Sequence, residues 1–165
     1  VTQRIILGID PGSRTTGYGV ILVENKKNYY LSSGCIRLSS DDWLEKCHIL
    51  YESLQQVIQK HQPTEAAIER IFMHVNPASA LKLGQARGAA ITALAHHKIV
   101  LAEYTARQVK QAVVGYGAAQ KQQVGQMVQV LLQLSGMPQV DAGDALAIAL
   151  CHAHSTVLTP FSPVE

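Results

Sequence analysis

The 165-residue chain carries 14 Lys and Arg against 12 Asp and Glu, with 47% hydrophobic and 16% charged residues. That length suits one domain, the apolar share is enough for a core, and so low a charge density excludes a disordered chain or a coiled coil. A formal charge of +2 is too small to announce a nucleic-acid binder by itself, although a nuclease can enclose an acidic metal pocket within a basic face.

In chain order, residues 4–10 form a β-branched run closed by Pro11-Gly12, which reads as a buried strand ending in a turn. Residues 17–23 and 29–36 read as second and third strands joined by a polar, hairpin-like stretch at 24–28. Trp43, Leu50, Leu54 and Ile58 recur at helical spacing until His61-Gln62-Pro63 ends the helix. A fourth strand is expected over 66–72, and a long helix from Pro77 to about His97. A fifth strand over 99–104, a short helix over 105–113, a Gly115-Tyr116-Gly117 loop and a helix over 119–134 follow. Asp141 opens a last helix to about His154. The order predicts a mixed α/β sandwich whose three leading strands are antiparallel. Residues 1–156 are expected to be the domain and 157–165 a short tail. Cys35, Cys47 and Cys151 are widely separated, the opening residues lack a signal-peptide layout, and no apolar run approaches the ~20 residues of a membrane span. A reduced, cytoplasmic protein is the expectation.

The informative residues are acids at positions a hydrophobic core does not favour. Asp10 closes an apolar strand, Glu69 interrupts another, and Asp141 and Asp144 fall on one face at the start of the last helix. Clustered carboxylates repel one another unless a cation compensates, and hard divalent ions with oxygen ligands suit such a site. Two ions ~3.5–4 Å apart can stabilise both the attacking and the leaving oxygen of phosphodiester hydrolysis. Each acid also has a plainer role: Asp10 as a turn residue, Asp141 as a helix cap, Asp144 as a partner of the helix dipole. Spacing alone does not bring the four together. Cys151-His152-Ala153-His154 lies on one helix without a second ligand pair, so a zinc site is not expected.

The segments Gly8-Ile9-Asp10-Pro11-Gly12-Ser13, Ile68-Glu69-Arg70-Ile71-Phe72 and Asp141-Ala142-Gly143-Asp144-Ala145-Leu146-Ala147 closely resemble the RuvC family of Holliday-junction resolvases. Leu81-Lys82-Leu83-Gly84-Gln85-Ala86-Arg87-Gly88 and Ala106-Arg107-Gln108-Val109-Lys110-Gln111 fit the same family, in order, across about residues 4–155. The resemblance implies an RNase H-like fold, a five-stranded mixed sheet with helices on both faces. It also implies a homodimer that nicks opposed strands of a four-way DNA junction, leaving 5′-phosphates, in recombination and repair. On it, Asp10, Glu69, Asp141 and Asp144 are the catalytic and metal-binding carboxylates for Mg²⁺, two ions per site, with Mn²⁺ as a substitute.

Phe72 is then an aromatic that contacts bases near the exchange point, where stacking is worth about 1–3 kcal/mol; without the resemblance it reads as core. Lys110 and Lys121 are basic positions beside the active site, and Arg14 and Arg87 further candidates for phosphate contact. The RuvA/RuvB branch-migration proteins are implied partners. Three alternatives stand beside this reading: an RNA-processing nuclease of the YqgF type, an actin-like phosphotransferase, and a junction-binding module without catalysis. The phosphotransferase needs two related domains, and the chain has room for one.

Overall fold

A computed structural model describes residues 2–71 and 76–155. Five strands, β1 (Arg4–Asp10), β2 (Thr15–Glu24), β3 (Lys27–Arg37), β4 (Glu65–Glu69) and β5 (Val100–Tyr104), form one sheet in the order β3-β2-β1-β4-β5. The first three pair antiparallel, as the chain order predicts, and β4 and β5 join parallel to β1. The β2–β3 turn places Asn25 and Lys26 at φ 51° and 63°, the pair of left-handed residues that a tight two-residue hairpin requires.

Helices α1 (Trp43–His61) and α2 (Pro77–His96) cover one face of the sheet; α3 (Ala106–Val114), α4 (Lys121–Leu131) and α5 (Val140–His154) cover the other. Parallel strands need crossover connections, which is why α1 and α2 lie between β3, β4 and β5 in the chain. One core cluster fills the α1/α2 side with Leu7, Ile9, Leu50, Leu54, Ile68 and Leu94, and another fills the opposite side around α5. None of the helices among the described residues is long and apolar enough to cross a membrane. The expected tail at 157–165 lies outside the described residues, and with it the domain boundary at 156.

Helix α5 is apolar nearly all round, with a continuous buried run from Ala145 to His152, as a helix packed on several sides must be. It lies almost on the sheet backbone because Gly8, Gly17 and Gly19 lack a side chain beneath it. A Cβ on Gly8 would stand 2.0 Å from the Ala145 carbonyl oxygen, and one on Gly17 would stand 2.0 Å from that of Asp141. Real Cβ atoms do not approach so closely, so these glycines set the height of α5 over β1 and β2. They thereby lower the N-terminus of α5 onto the end of β1.

Several element boundaries differ from expectation by a few residues, and two of them bear on the acids. Strand β4 ends at Glu69 rather than running to 72; one further backbone bond, from Arg70 N–H to the Tyr104 oxygen at 2.7 Å, closes its pairing with β5. Helix α5 begins one residue early with Gln139 as its cap, so Asp141 stands in the first turn instead of capping it.

Candidate active site

Asp10 is the last residue of β1, next to the Asp141–Gly17 contact that seats α5. Asp141 and Asp144 project from the first turns of α5 one above the other. Fold topology thus converts a separation of more than 130 residues into contact: Asp10, Asp141 and Asp144 each offer an oxygen within 4.8 Å of the others. Glu69 ends β4, the parallel neighbour of β1, and shares a cleft with Asp144. It stands outside the three-residue group.

The cleft encloses about 200 Å³ between α3, α4 and α5. Glu69, Asp144, Lys110 and Lys121 form its polar wall, and Val109, Val124 and Ile148 its apolar floor. Lys121, at the first turn of α4, places its Nζ 2.7 Å from the Asp144 carboxylate.

The electrostatics are out of balance. Burial, then the charges of Asp144, Glu69 and Asp141, push Asp10 up to about 7, with Lys121 opposing. Glu69 is raised by burial and by Asp144, and lowered by Lys110 and Lys121. Lys121 is raised through its hydrogen bond to Asp144. Three convergent carboxylates with one ammonium against them make a site that attracts further positive charge. All the donor atoms are hard oxygens, a set that suits a hard divalent cation.

Of the other sequence candidates, Arg14 is exposed beside the Asp-Pro-Gly turn, where the Thr16 hydroxyl meets the Gly12 N–H at 3.4 Å. Phe72 lies outside the described residues. Arg87 has a different setting from the surface position a phosphate contact needs. It is half-buried under α2, behind the sheet, where its guanidinium pairs with Glu103 on β5 and reaches the Glu69 main-chain oxygen at 3.5 Å. Glu103 also faces Arg70 at 3.7 Å. This partner was missed in the sequence; its only signal was an acid in the otherwise apolar β5, the same signal that marked Glu69.

His152 is buried and holds no metal cluster among the described residues. Burial lowers its pKa, and its ring is held at both nitrogens, with Nε2 2.7 Å from the Glu65 carboxylate and Nδ1 2.7 Å from the Tyr104 hydroxyl.

Comparison with known proteins follows the same lines. The family model described as crossover junction endodeoxyribonuclease RuvC matches residues 6–152. The crossover junction endodeoxyribonuclease RuvC of Legionella pneumophila (strain Lens) is 58% identical over 153 residues, covering 92% of this chain and 88% of its own length. Thermus thermophilus RuvC, solved in complex with Holliday junction substrate, matches with a TM-score of 0.86 and 32% identity over 92% of this chain and 93% of that one. A yeast mitochondrial Holliday junction resolvase, at 14% identity and a TM-score of 0.66 over 90% and 77% of the two chains, shares the fold alone. The fold is RNase H-like, with five strands and helices on both faces.

Proposed function

The chain belongs to the RuvC family of crossover junction endodeoxyribonucleases, and from that premise we propose how its residues resolve a four-way DNA junction. The observation that carries the reading is the meeting of Asp10, Asp141 and Asp144 within 4.8 Å, on a rim bearing Lys121 and, across the cleft, Glu69 and Lys110. The family match displaces the RNA-processing and phosphotransferase alternatives.

Asp10, Asp141 and Asp144 would hold Mg²⁺, with Glu69 completing the acidic wall. When bound, the ions supply Lewis acidity and a water of lowered pKa for attack on the phosphodiester. The protein's part is positional. The carboxylates are fixed by a strand end and a seated helix, so little reorganisation is needed as charge develops. Lys110 and Lys121 hold the phosphate flanking the scissile bond and offset charge that the acids would otherwise repel. No protein nucleophile is required. Arg14, exposed beside the Asp10 turn, contacts backbone further out.

A two-fold dimer suits a substrate with two matching strands. The outward face of α2 supports one: Leu81 is 68% exposed, and nothing lies within 4 Å of a Cβ on Gly84 or Gly88. Family resemblance alone adds RuvA/RuvB as partners and the cytoplasm as the location.

The test is cleavage of a mobile synthetic four-way junction with Mg²⁺, beside matched duplex and single strands. Paired symmetric nicks confined to the junction are expected. Tight junction binding without cutting under Mg²⁺ or Mn²⁺ would make the chain a non-catalytic binder.

A further inference from the structure

Between Glu103 and Asp141 the chain contains no acidic residue, while Arg107, Lys110 and Lys121 are its cations and glutamine recurs throughout. That segment is α3, α4 and their connections, so one whole side of the cleft presents cations and neutral donors to solvent: Arg107, Gln108, Gln111, Gln122 and Gln123 are all exposed. Among the described residues, the carboxylate ion-paired to it is Asp144, at Lys121. Such a surface complements a polyanion along its length and penalises no phosphate by repulsion.

At the tip of this surface stands an aromatic ring. Gly115, at φ 101°, turns the chain out of α3 in the left-handed region that glycine adopts without strain. Tyr116 follows, 47% exposed. Its hydroxyl donates to Gln123 Oε1 at 2.9 Å, and the same oxygen accepts the Gln120 backbone N–H at 2.8 Å. The ring is thus exposed yet tethered to the first turn of α4, two residues from Lys121. On the other side, Gly117 makes room for Arg107: a Cβ there would lie 2.4 Å from the Arg107 Cγ. The Arg107 stem therefore lies against the loop that carries the ring. A pre-oriented Tyr on a loop against which an arginine side chain lies offers a stacking face at little entropic cost.

We infer that the α3–α4 loop is a second DNA contact of this chain, in which Tyr116 stacks on a nucleotide unpaired at the junction and Arg107 holds the adjoining phosphate. The inference rests on the junction-resolving reading above and adds to it residues outside the carboxylate site.

The experiment measures binding in Ca²⁺ of a synthetic four-way junction and of a duplex of the same sequence, with Asp10→Asn as the parent. Tyr116→Ala is expected to weaken junction binding about five- to tenfold, within the range of one lost base stack, and duplex binding by less than about twofold. Tyr116→Phe keeps the ring but loses its tether, and is expected to lose clearly less junction affinity than Tyr116→Ala. Arg107→Ala is expected to lower the salt dependence of junction binding by about one phosphate contact. Unchanged junction binding in Tyr116→Ala, or an equal loss on duplex, would overturn the stacking role. A parent that does not prefer the junction to duplex would instead sink the resolvase reading, and the inference with it.

Discussion

The sheet carries polar clusters at both ends, and they are built on opposite terms. At the end where β1 closes, Asp10, Asp141 and Asp144 gather negative charge with Lys121 as their one direct counter-ion among the described residues, and Asp10 is raised to about 7 by burial and by its neighbours. At the end where β4 opens, Glu65 is met by Arg4 through two 2.7 Å hydrogen bonds and by His152 through a third, and His152 is in turn satisfied by Tyr104. There the Arg4 contact holds the Glu65 carboxyl below its usual range. Both clusters join the sheet to α5. A satisfied network fixes the far end of that helix, while the near end stores the repulsion that a cation relieves. The near end pays in stability for binding capacity.

Removing one acid from each cluster is the sharpest way to break the contrast. Asp10→Asn should lower junction cleavage by at least about a thousandfold, the scale of losing an essential member of a catalytic set, with junction affinity within about threefold of the parent. A comparable loss of affinity, measured by gel shift, would assign Asp10 to folding. Glu65→Gln should act the other way. It leaves Arg4 part-buried without its charge partner, so chemical denaturation should show a loss of about 3 kcal/mol, while cleavage per folded molecule stays unchanged. A large fall in cleavage with intact stability would show that the two clusters are not separate.

Next in size is the device that lets α5 serve both ends. Gly17→Ala puts a methyl group into the Asp141 carbonyl, and the helix must rise. A stability loss of about 1–3 kcal/mol is the usual cost of overpacking. An ångström of displacement at Asp141 should cost cleavage about a hundredfold, with a higher Mg²⁺ requirement. Parent-like cleavage and Mg²⁺ dependence in Gly17→Ala would mean that the glycine does not set the height of the aspartates.

How much of this was legible beforehand depended on the kind of residue. Asp10 and Glu69 announced themselves because ionised groups are rare in buried strands, and family resemblance joined them to Asp141 and Asp144. The structure brings three of the four together as one group and sets Glu69 on the adjoining strand end, a distinction that spacing does not encode. The strand order was legible as far as the hairpins, whose partners are neighbours in the chain. Arg87 was read as a candidate for phosphate contact, and its pairing with Glu103 was not foreseen because Glu103 lies on another element and which face of α2 meets β5 is a tertiary fact. The Glu65–His152 network went unseen for the same reason, since it joins residues 87 positions apart. The Gly8 and Gly17 contacts were hidden because a glycine shows what it permits only once the opposing helix is in place.

The smallest expected effect tests the stored repulsion directly. Asp10 titrates near 7 when folded and near 4 when unfolded. The folded state therefore binds the proton more tightly, and the ionised acid costs stability progressively as pH rises from about 4 to about 7, then by a constant amount. Three units correspond to at most about 4 kcal/mol at about 1.4 per unit; solvent at the cleft rim reduces this to about 1–2 kcal/mol. Without divalent cations, Asp10→Asn should therefore match the parent's melting temperature at pH 4 and exceed it by a few degrees at pH 8. The cost of Glu65→Gln should run in the opposite sense. Glu65 titrates below its usual range, so its contribution is present above about pH 4 and fades as pH falls through the folded value. Saturating Mg²⁺ should erase the Asp10→Asn advantage, because the parent gains binding energy that the variant lacks. A melting difference independent of both pH and Mg²⁺ would show that charge repulsion at Asp10 is not what the cation relieves.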